Sequence, residues 1–158
     1  MDPKLRKDVL RNITYGLYVT TTAHGESVAA AGVSWLSQCS FEPPLVMMAL
    51  RKDGALCALL RRSGRGVVHI LGEGQAAVAK SFFGPTKHEA GTINGQPYKL
   101  EEGQPVLGAF PWYFHFEVRE WVDRGDHAIA VAAVTGAHAT GEATTPLALR
   151  DTSWSYSG

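Results

Sequence analysis

The stretch WYFHFEVREWV, Trp112 to Val122, followed by DRGDHAIAVAAV, Asp123 to Val134, decides how this chain folds. Trp112, Phe114, Phe116, Val118 and Val122 share one parity, whereas His115, Glu117 and Arg119 fall on the other. Successive side chains of a strand point to opposite faces, so this alternation predicts a half-buried antiparallel strand. Asp123-Arg124-Gly125-Asp126 supplies a turn, and His127 to Val134 returns with small apolar residues on both faces, as a strand covered on both sides does. The two segments read as a hairpin. The Arg-Gly-Asp in its turn admits three readings: an adhesion loop, a plain turn, or a turn that holds His127 over a chemical site.

Working outward, GLYVTTT (Gly16 to Thr22) and SVAAAGVSWLS (Ser27 to Ser37) form a second strand pair around His24-Gly25, and LVMMAL follows the break at Pro43-Pro44. GVVHILG is a further strand. Three short helices are expected. One opens at Asp2-Pro3 with Leu5, Val9 and Ile13 on one stripe; one runs through ALCALLRR to Ser63-Gly64; one covers Gln75 to Phe83. The polar segment from Gly84 to Gly108 is too long for a plain connector and reads as a functional or interface loop, with Asn94-Gly95 as its turn signal. Six or so strands joined mostly as hairpins favour a closed or split β-barrel over a doubly wound parallel sheet.

The bulk composition narrows the function classes. A length of 158 residues suits one domain, and 15 basic against 15 acidic residues leave no field for nucleic acid or an anionic membrane. No apolar run is long enough for a bilayer span or a signal core. Cys39 and Cys57 have no metal or redox spacing and read as buried free thiols in a reducing cytoplasm, where an adhesion motif has no receptor. Glycine-rich nucleotide loops, a GxSxG elbow and clustered histidine ligands are all missing, which argues against nucleotide-loop, hydrolase and metalloenzyme chemistry.

Three segments could carry chemistry. Arg51 and Lys52 end a strand and Asp53-Gly54 opens a helix, so a phosphate would meet two cations and a positive helix end; Asp53 as a simple N-cap is the plainer account. Ala29 to Gly32 leave one strand wall flat enough for a planar ring, with Ser34, Ser37 and Ser40 offering hydroxyls; packing of that strand on the first helix explains the alanines equally well. His127 could donate to an amide or stabilise a developing anion, or it could close the hairpin by bonding Asp126 or Asp123. His69, inside an apolar strand, reads as a satisfied core residue. Arg61, Arg62 and Arg65 read as a solvated helix end, with contact to a dinucleotide phosphate as the alternative.

Together, and in order, RNITYGLYVTTTAHGESVAAAGVSWLSQCSFEPPLVMMALRKDGA, GRGVVHILGEGQAAVAKSFFG, GDHAIAVAAV and PLALRDTSWSYSG resemble the flavin reductase-like family with the FMN-binding split-barrel fold. The likeness runs from about Leu10 to the end. It implies a mainly β protein with short helices, an antiparallel split barrel, paired as a homodimer. The family includes the small reductase components of two-component flavin monooxygenases. The resemblance implies FMN, with FAD an alternative, and NADH or NADPH as co-substrate. It places Gly32, Val33, Ser34, Trp35 and Leu36 along the flavin ring, Ser40 and Pro44 close to it, and Arg51, Lys52, Asp53 and Ala55 at the ribityl phosphate. Phe82 matches an aromatic position near the flavin, His127 the catalytic position on the nicotinamide side, and Tyr156 a cap on that side. Relatives that take electrons from a protein partner, or that bind a ligand without catalysis, share the same fold. The chain departs from the family in carrying Ala29, Ala30, Ala31 and Gly32 where Ser, Thr or Asn are common, and Gly54 where serine is common; fewer side-chain donors imply modest flavin affinity.

Overall fold

The computed structural model describes residues 1–141 and 144–156. The elements run α1 (Pro3–Leu10), β1 (Tyr18–His24), β2 (Ser27–Val33), β3 (Leu36–Ser40), β4 (Leu45–Arg51), α2 (Ala55–Ser63), β5 (Arg65–Ile70) and α3 (Ala76–Lys80), then β6 (His88–Glu89), β7 (Thr92–Ile93), β8 (Gln96–Glu101), β9 (Gln104–Leu107), β10 (Trp112–Asp123) and β11 (His127–Ala139). A seven-stranded antiparallel sheet has the order β2-β1-β5-β10-β11-β4-β3, and a four-stranded sheet has the order β6-β7-β8-β9.

The deciding hairpin forms as expected: β10 pairs with β11 from Trp112↔Ala139 to Asp123↔Ala128. Its alternation is not regular, however. A register shift between His115 and Phe116 brings both inside, and Tyr113 and His115, on the parity read as polar, are 8% and 5% exposed. The reason is the small sheet, which lies over that face; Tyr113 packs with Val67 and Val106. On β11, Ala128, Ala130 and Ala132 are fully buried, while the opposite parity is half-buried up to Val134.

The barrel interior gathers apolar residues of β2, β4, α2, β5, β10 and β11, with Met48 and Leu60 at its centre. Helix α2 contributes Leu56, Cys57, Leu59 and Leu60, and stops at Gly64, whose left-handed φ of 68° lets its N–H close onto Leu60. A second cluster lies between β1, β2, α3 and the C-terminal segment, which is tied back by bonds from Leu17 to Leu147 and from Leu149 to Tyr15.

Four expectations are revised. The segment from Gly84 to Gly108 is not a loop but holds β6 to β9, and it docks through side chains that behave like backbone. Gln104 both accepts from Ala23 N–H and donates to its carbonyl, and Thr21 donates to the Pro105 carbonyl. Helix α1 forms, capped by Asp2, but buries nothing: Leu5, Val9 and Ile13 stay exposed. The third helix is confined to Ala76–Lys80, with turns carrying the chain on to Phe83. Cys39 is exposed because it lies on β3, the edge strand; Cys57 is buried, and both are free. No helix among the described residues is long and apolar enough to cross a membrane.

Candidate functional site

A cavity of about 630 Å³ opens where the ends of β2 and β4, the start of α2, the turn after α3 and the C-terminal segment meet. Its flat wall is Ala30, Ala31, Gly32 and Val33, continued by Ser34 and Trp35. The small residues do not pack on α1, so that account of them is excluded; they face the cavity and the segment after α3. Thr86 holds the strand there, accepting from Ala30 N–H at 3.0 Å and donating to Ala30 O at 3.1 Å, and Gly32 N–H donates to Phe82 O. Gly32 is required by space: a Cβ would lie 2.9 Å from the Phe83 ring.

Arg51, Asp53, Gly54, Ala55, Leu56 and Cys57 form the polar corner. Asp53 does not cap α2. It accepts two bonds from Arg51, at 2.9 and 2.6 Å, and Gly54 sits at the cap position with no side-chain bond. The first N–H groups of α2 therefore have no cap and border the cavity beside a guanidinium, a donor set suited to an anion. The hydrogen bond and charge of Arg51 hold the Asp53 carboxyl below its ordinary range, and Asp53 in turn raises Arg51. Lys52 is turned away from the cavity wall, its ammonium 3.6 Å from Asp123, which also binds Arg61 at 2.6 Å. Arg61 lies over the Trp121 ring and is spent on that contact.

An aromatic group closes the rim. Trp35 stands 4.6 Å from His127 and 5.2 Å from Tyr156, centroid to centroid, and Tyr15 packs behind it. His127 opens β11 opposite Arg51 of β4. Its Nδ1 is 2.7 Å from Asp126 Oδ1 and its Nε2 is 2.6 Å from the Tyr156 hydroxyl. The carboxylate can only accept, so Nδ1 donates to Asp126, and Nε2 shares the second bond with the Tyr156 hydroxyl. The bond to His127 lowers Asp126, and burial raises the Tyr156 phenol. Asp126 is thus the partner of the turn histidine, while Asp123 binds Arg61 and Lys52. The Arg-Gly-Asp sequence is the turn that delivers this pair.

Of the sequence candidates, Gly32, Val33, Ser34, Trp35, Arg51, Asp53, Ala55, Phe82 and Tyr156 line the cavity, and His127 adjoins it through Trp35 and Tyr156. Leu36, Ser40, Pro44 and Lys52 do not line it: β3 runs outward along the sheet edge after Trp35, and Pro44 is exposed in the turn that follows. Phe83 and Trp154, packed edge to face at 4.7 Å, and Thr86 line it without having been singled out. Trp154 had a signal, its spacing of two from Tyr156; Thr86 had none.

The site fits a flavin. Its wall is flat and apolar, and its corner supplies cationic and N–H donors for a phosphate. Ser34 is buried on the cavity wall, and Trp35 Nε1 is buried without a hydrogen-bond partner among the described residues. A planar heteroaromatic ring with acceptor atoms matches such a set.

The comparisons agree with this geometry. Over 139 residues the chain is 34% identical to Diflavin flavoprotein A 1 of Synechocystis sp., covering 85% of this chain and 24% of that protein, so it spans about a quarter of the diflavin flavoproteins it matches. It is 28% identical to the flavin-dependent monooxygenase reductase subunit HsaB of Mycobacterium tuberculosis, over 85% of this chain and 71% of that one. The styrene monooxygenase flavin reductase of Pseudomonas putida S12 superposes with a TM-score of 0.78 at 25% identity, covering 92% of this chain and 91% of that one. The Flavin reductase like domain model matches residues 10–155, and the chain belongs to that family, with its split-barrel fold.

Proposed function

We propose that the chain is a single FMN-binding unit acting as an NAD(P)H:flavin oxidoreductase, with FMN or FAD in the cavity and NADH or NADPH as reductant. The observation that carries this reading is the meeting, in one cavity, of a flat small-residue wall with an uncapped helix start and Arg51. A bound flavin would supply the redox chemistry, accepting a hydride from a reduced nicotinamide and passing the electrons on. The protein's part is to bind and orient. Ala30 to Val33 carry the ring plane, Arg51 and the first N–H groups of α2 hold the phosphate, and Trp35, Tyr156 and His127 form the rim where a nicotinamide stacks. His127, fixed by Asp126, positions the nicotinamide amide or lends positive charge as negative charge develops.

Apolar residues exposed on α1 and near β3, among them Leu5, Val9, Phe41 and Met47, are the surface a second copy would cover in a homodimer. A monooxygenase that consumes the reduced flavin is the proposed partner, by analogy with the reductase subunits named above. The exposed free thiol of Cys39 suits a reducing compartment such as the cytoplasm.

An anaerobic absorbance titration with FMN, then NADH, then NADPH tests the proposal. Bound-flavin bands that bleach on adding a nicotinamide support it and name the donor; a chain that binds no flavin overturns it. His127→Ala slows nicotinamide oxidation by roughly tenfold or more with flavin affinity unchanged; equal loss of both makes His127 structural. A second reading is favoured by the diflavin flavoproteins, in which a segment like this chain is one part of a longer protein. On that reading the flavin takes electrons from a protein partner and stays oxidised when NADH and NADPH are added alone.

A further inference from the structure

Away from the cavity, Glu101 at the end of β8, His115 on β10 and His138 on β11 bring their ligating atoms within 4.8 Å of one another. The sheet register causes this. Tyr113 pairs with His138 and His115 with Gly136 across the hairpin, so Tyr113, His115 and His138 share one face. Gly136 lies between the two imidazoles: a Cβ there would be in ordinary contact with both, 3.7 Å from His138 Nε2 and 3.9 Å from His115 Cδ2. Glu101 comes down on that face from the small sheet. His115 Nε2 is 3.3 Å from its Oε2, and the Tyr113 hydroxyl donates from 3.0 Å. The Tyr113 ring is stacked on His138 at 4.8 Å and 13°, which sets the imidazole plane.

We propose that Glu101, His115 and His138 form a binding site for a divalent transition-metal ion of the zinc class, with water in the fourth position. Two imidazoles and a carboxylate are a ligand set for borderline metals and a poor one for calcium or magnesium, which prefer oxygen throughout. Bond lengths of about 2.1 Å put neighbouring ligand atoms of a tetrahedral ion roughly 3.4 Å apart. The His115 to Glu101 pair already has that separation, and His138, exposed at the end of β11, has only to slide along the Tyr113 ring on which it is stacked to close the remaining gap. Lys99, its side chain 66% exposed, holds Oε1 of Glu101 at 2.7 Å, while Oε2 faces His115 and is shared with the Tyr113 hydroxyl at 3.0 Å, the side on which the ion would bind. Tyr113 orients the carboxylate as an outer partner of the ion. The ion would staple the four-stranded sheet to the long hairpin of the other sheet. None of these residues lines the cavity, so the proposal stands independently of the flavin reading.

The test uses the full chain stripped of metal by a chelator and titrated with Co2+, followed by Zn2+ as competitor. The expected result is the visible absorption of tetrahedral Co2+ at one ion per chain, its displacement by Zn2+, and a raised Tm. His138→Ala, at an exposed position, and Glu101→Gln should each weaken binding by about tenfold or more, and Tyr113→Phe to a lesser degree, with the response to FMN unchanged. Absence of binding overturns the proposal. So does binding at one ion per chain that survives both His138→Ala and Glu101→Gln, which would place the ion on other side chains such as His24, His88 or Cys39.

Discussion

His69 and His127 both lie on strands of the seven-stranded sheet, and their surroundings differ in a way that separates a structural polar group from one left for a ligand. On His69 both ring nitrogens are matched within the protein, although Thr20 Oγ1, one residue along β1 from Val19, is buried without a partner among the described residues. Nδ1–H donates to the Val19 carbonyl, and Nε2 accepts from Leu107 N–H, which links β5 to β1 and β9 with a neutral ring at zero exposure. Gln104 and Thr21 complete the same seam. Around His127 the matching is incomplete. The ring is held by Asp126 and Tyr156, yet Trp35 Nε1 beside it has no partner among the described residues, and α2 starts without a side-chain cap. Buried polar groups cost free energy when unpaired, so a histidine matched on both nitrogens reads as structural, whereas donors left open along a cavity wall suit a ligand that enters it.

The largest effect should come from the closed seam. His69→Ala strands the Val19 carbonyl and Leu107 N–H in a dry interior and opens a void, and should cost about 3–5 kcal/mol in urea unfolding. The fraction that stays folded should bind FMN as before. A cost under about 1 kcal/mol would break the contrast, because the seam would then carry no stability.

Acid should act on the same residue by a different route. Burial pushes the His69 imidazole down to about 4 from 6.5, so the unfolded chain takes up a proton at higher pH than the folded one. Stability from this group is therefore complete above 6.5 and lost as pH falls toward 4, by about 3 kcal/mol in all. In His69→Gln, which has no titrating ring, the decline over that window should vanish. Glu101 does not confuse the result. Lys99, followed by His115 and Tyr113, holds its carboxyl at about 2, so its contribution is lost only as pH falls from 4.5 toward that value.

The two regions were legible in the sequence to different degrees. His69 could be read as satisfied because it interrupts an apolar strand, and the alternation from Trp112 to Val122 with its turn located the central hairpin. The small sheet could not be read. Its strands are two to six residues long, two of them contain a proline, and they dock through Gln104 and Thr21, whose bonds no periodicity reports. The bulge at His115 was hidden for the same reason, since the element that covers this face was itself unread. At the cavity, the glycine and alanine wall and the basic strand end carried a signal, and the family resemblance joined them. The roles of Asp53 and Lys52 depend on which charge each side chain meets, which spacing does not contain.

That last point sharpens into a prediction at the phosphate corner. Arg51 lines the cavity, whereas Lys52 is drawn to Asp123. Arg51→Ala should weaken FMN binding by about tenfold, or about 1.4 kcal/mol, and Lys52→Ala by less than about twofold, as followed by quenching of flavin fluorescence. Equal losses would mean that Lys52 turns inward when the anion binds, and no loss from either would remove the phosphate assignment.

The smallest effect isolates the hydroxyl of Tyr156. Tyr156→Phe keeps the ring against Trp35 and removes only the 2.6 Å bond to His127 Nε2. The site is partly open to water, so stability should change by less than about 0.5 kcal/mol. Nicotinamide oxidation should slow about threefold, because Asp126 alone then holds the imidazole and its Nε2 side is free to drift. If the hydroxyl acts by positioning His127, kcat falls while the KM for flavin is unchanged, and the same substitution in a His127→Ala background does nothing further. If Tyr156 instead touches the nicotinamide directly, the two losses multiply, and the rim is then two independent contacts with no shared orientation between them.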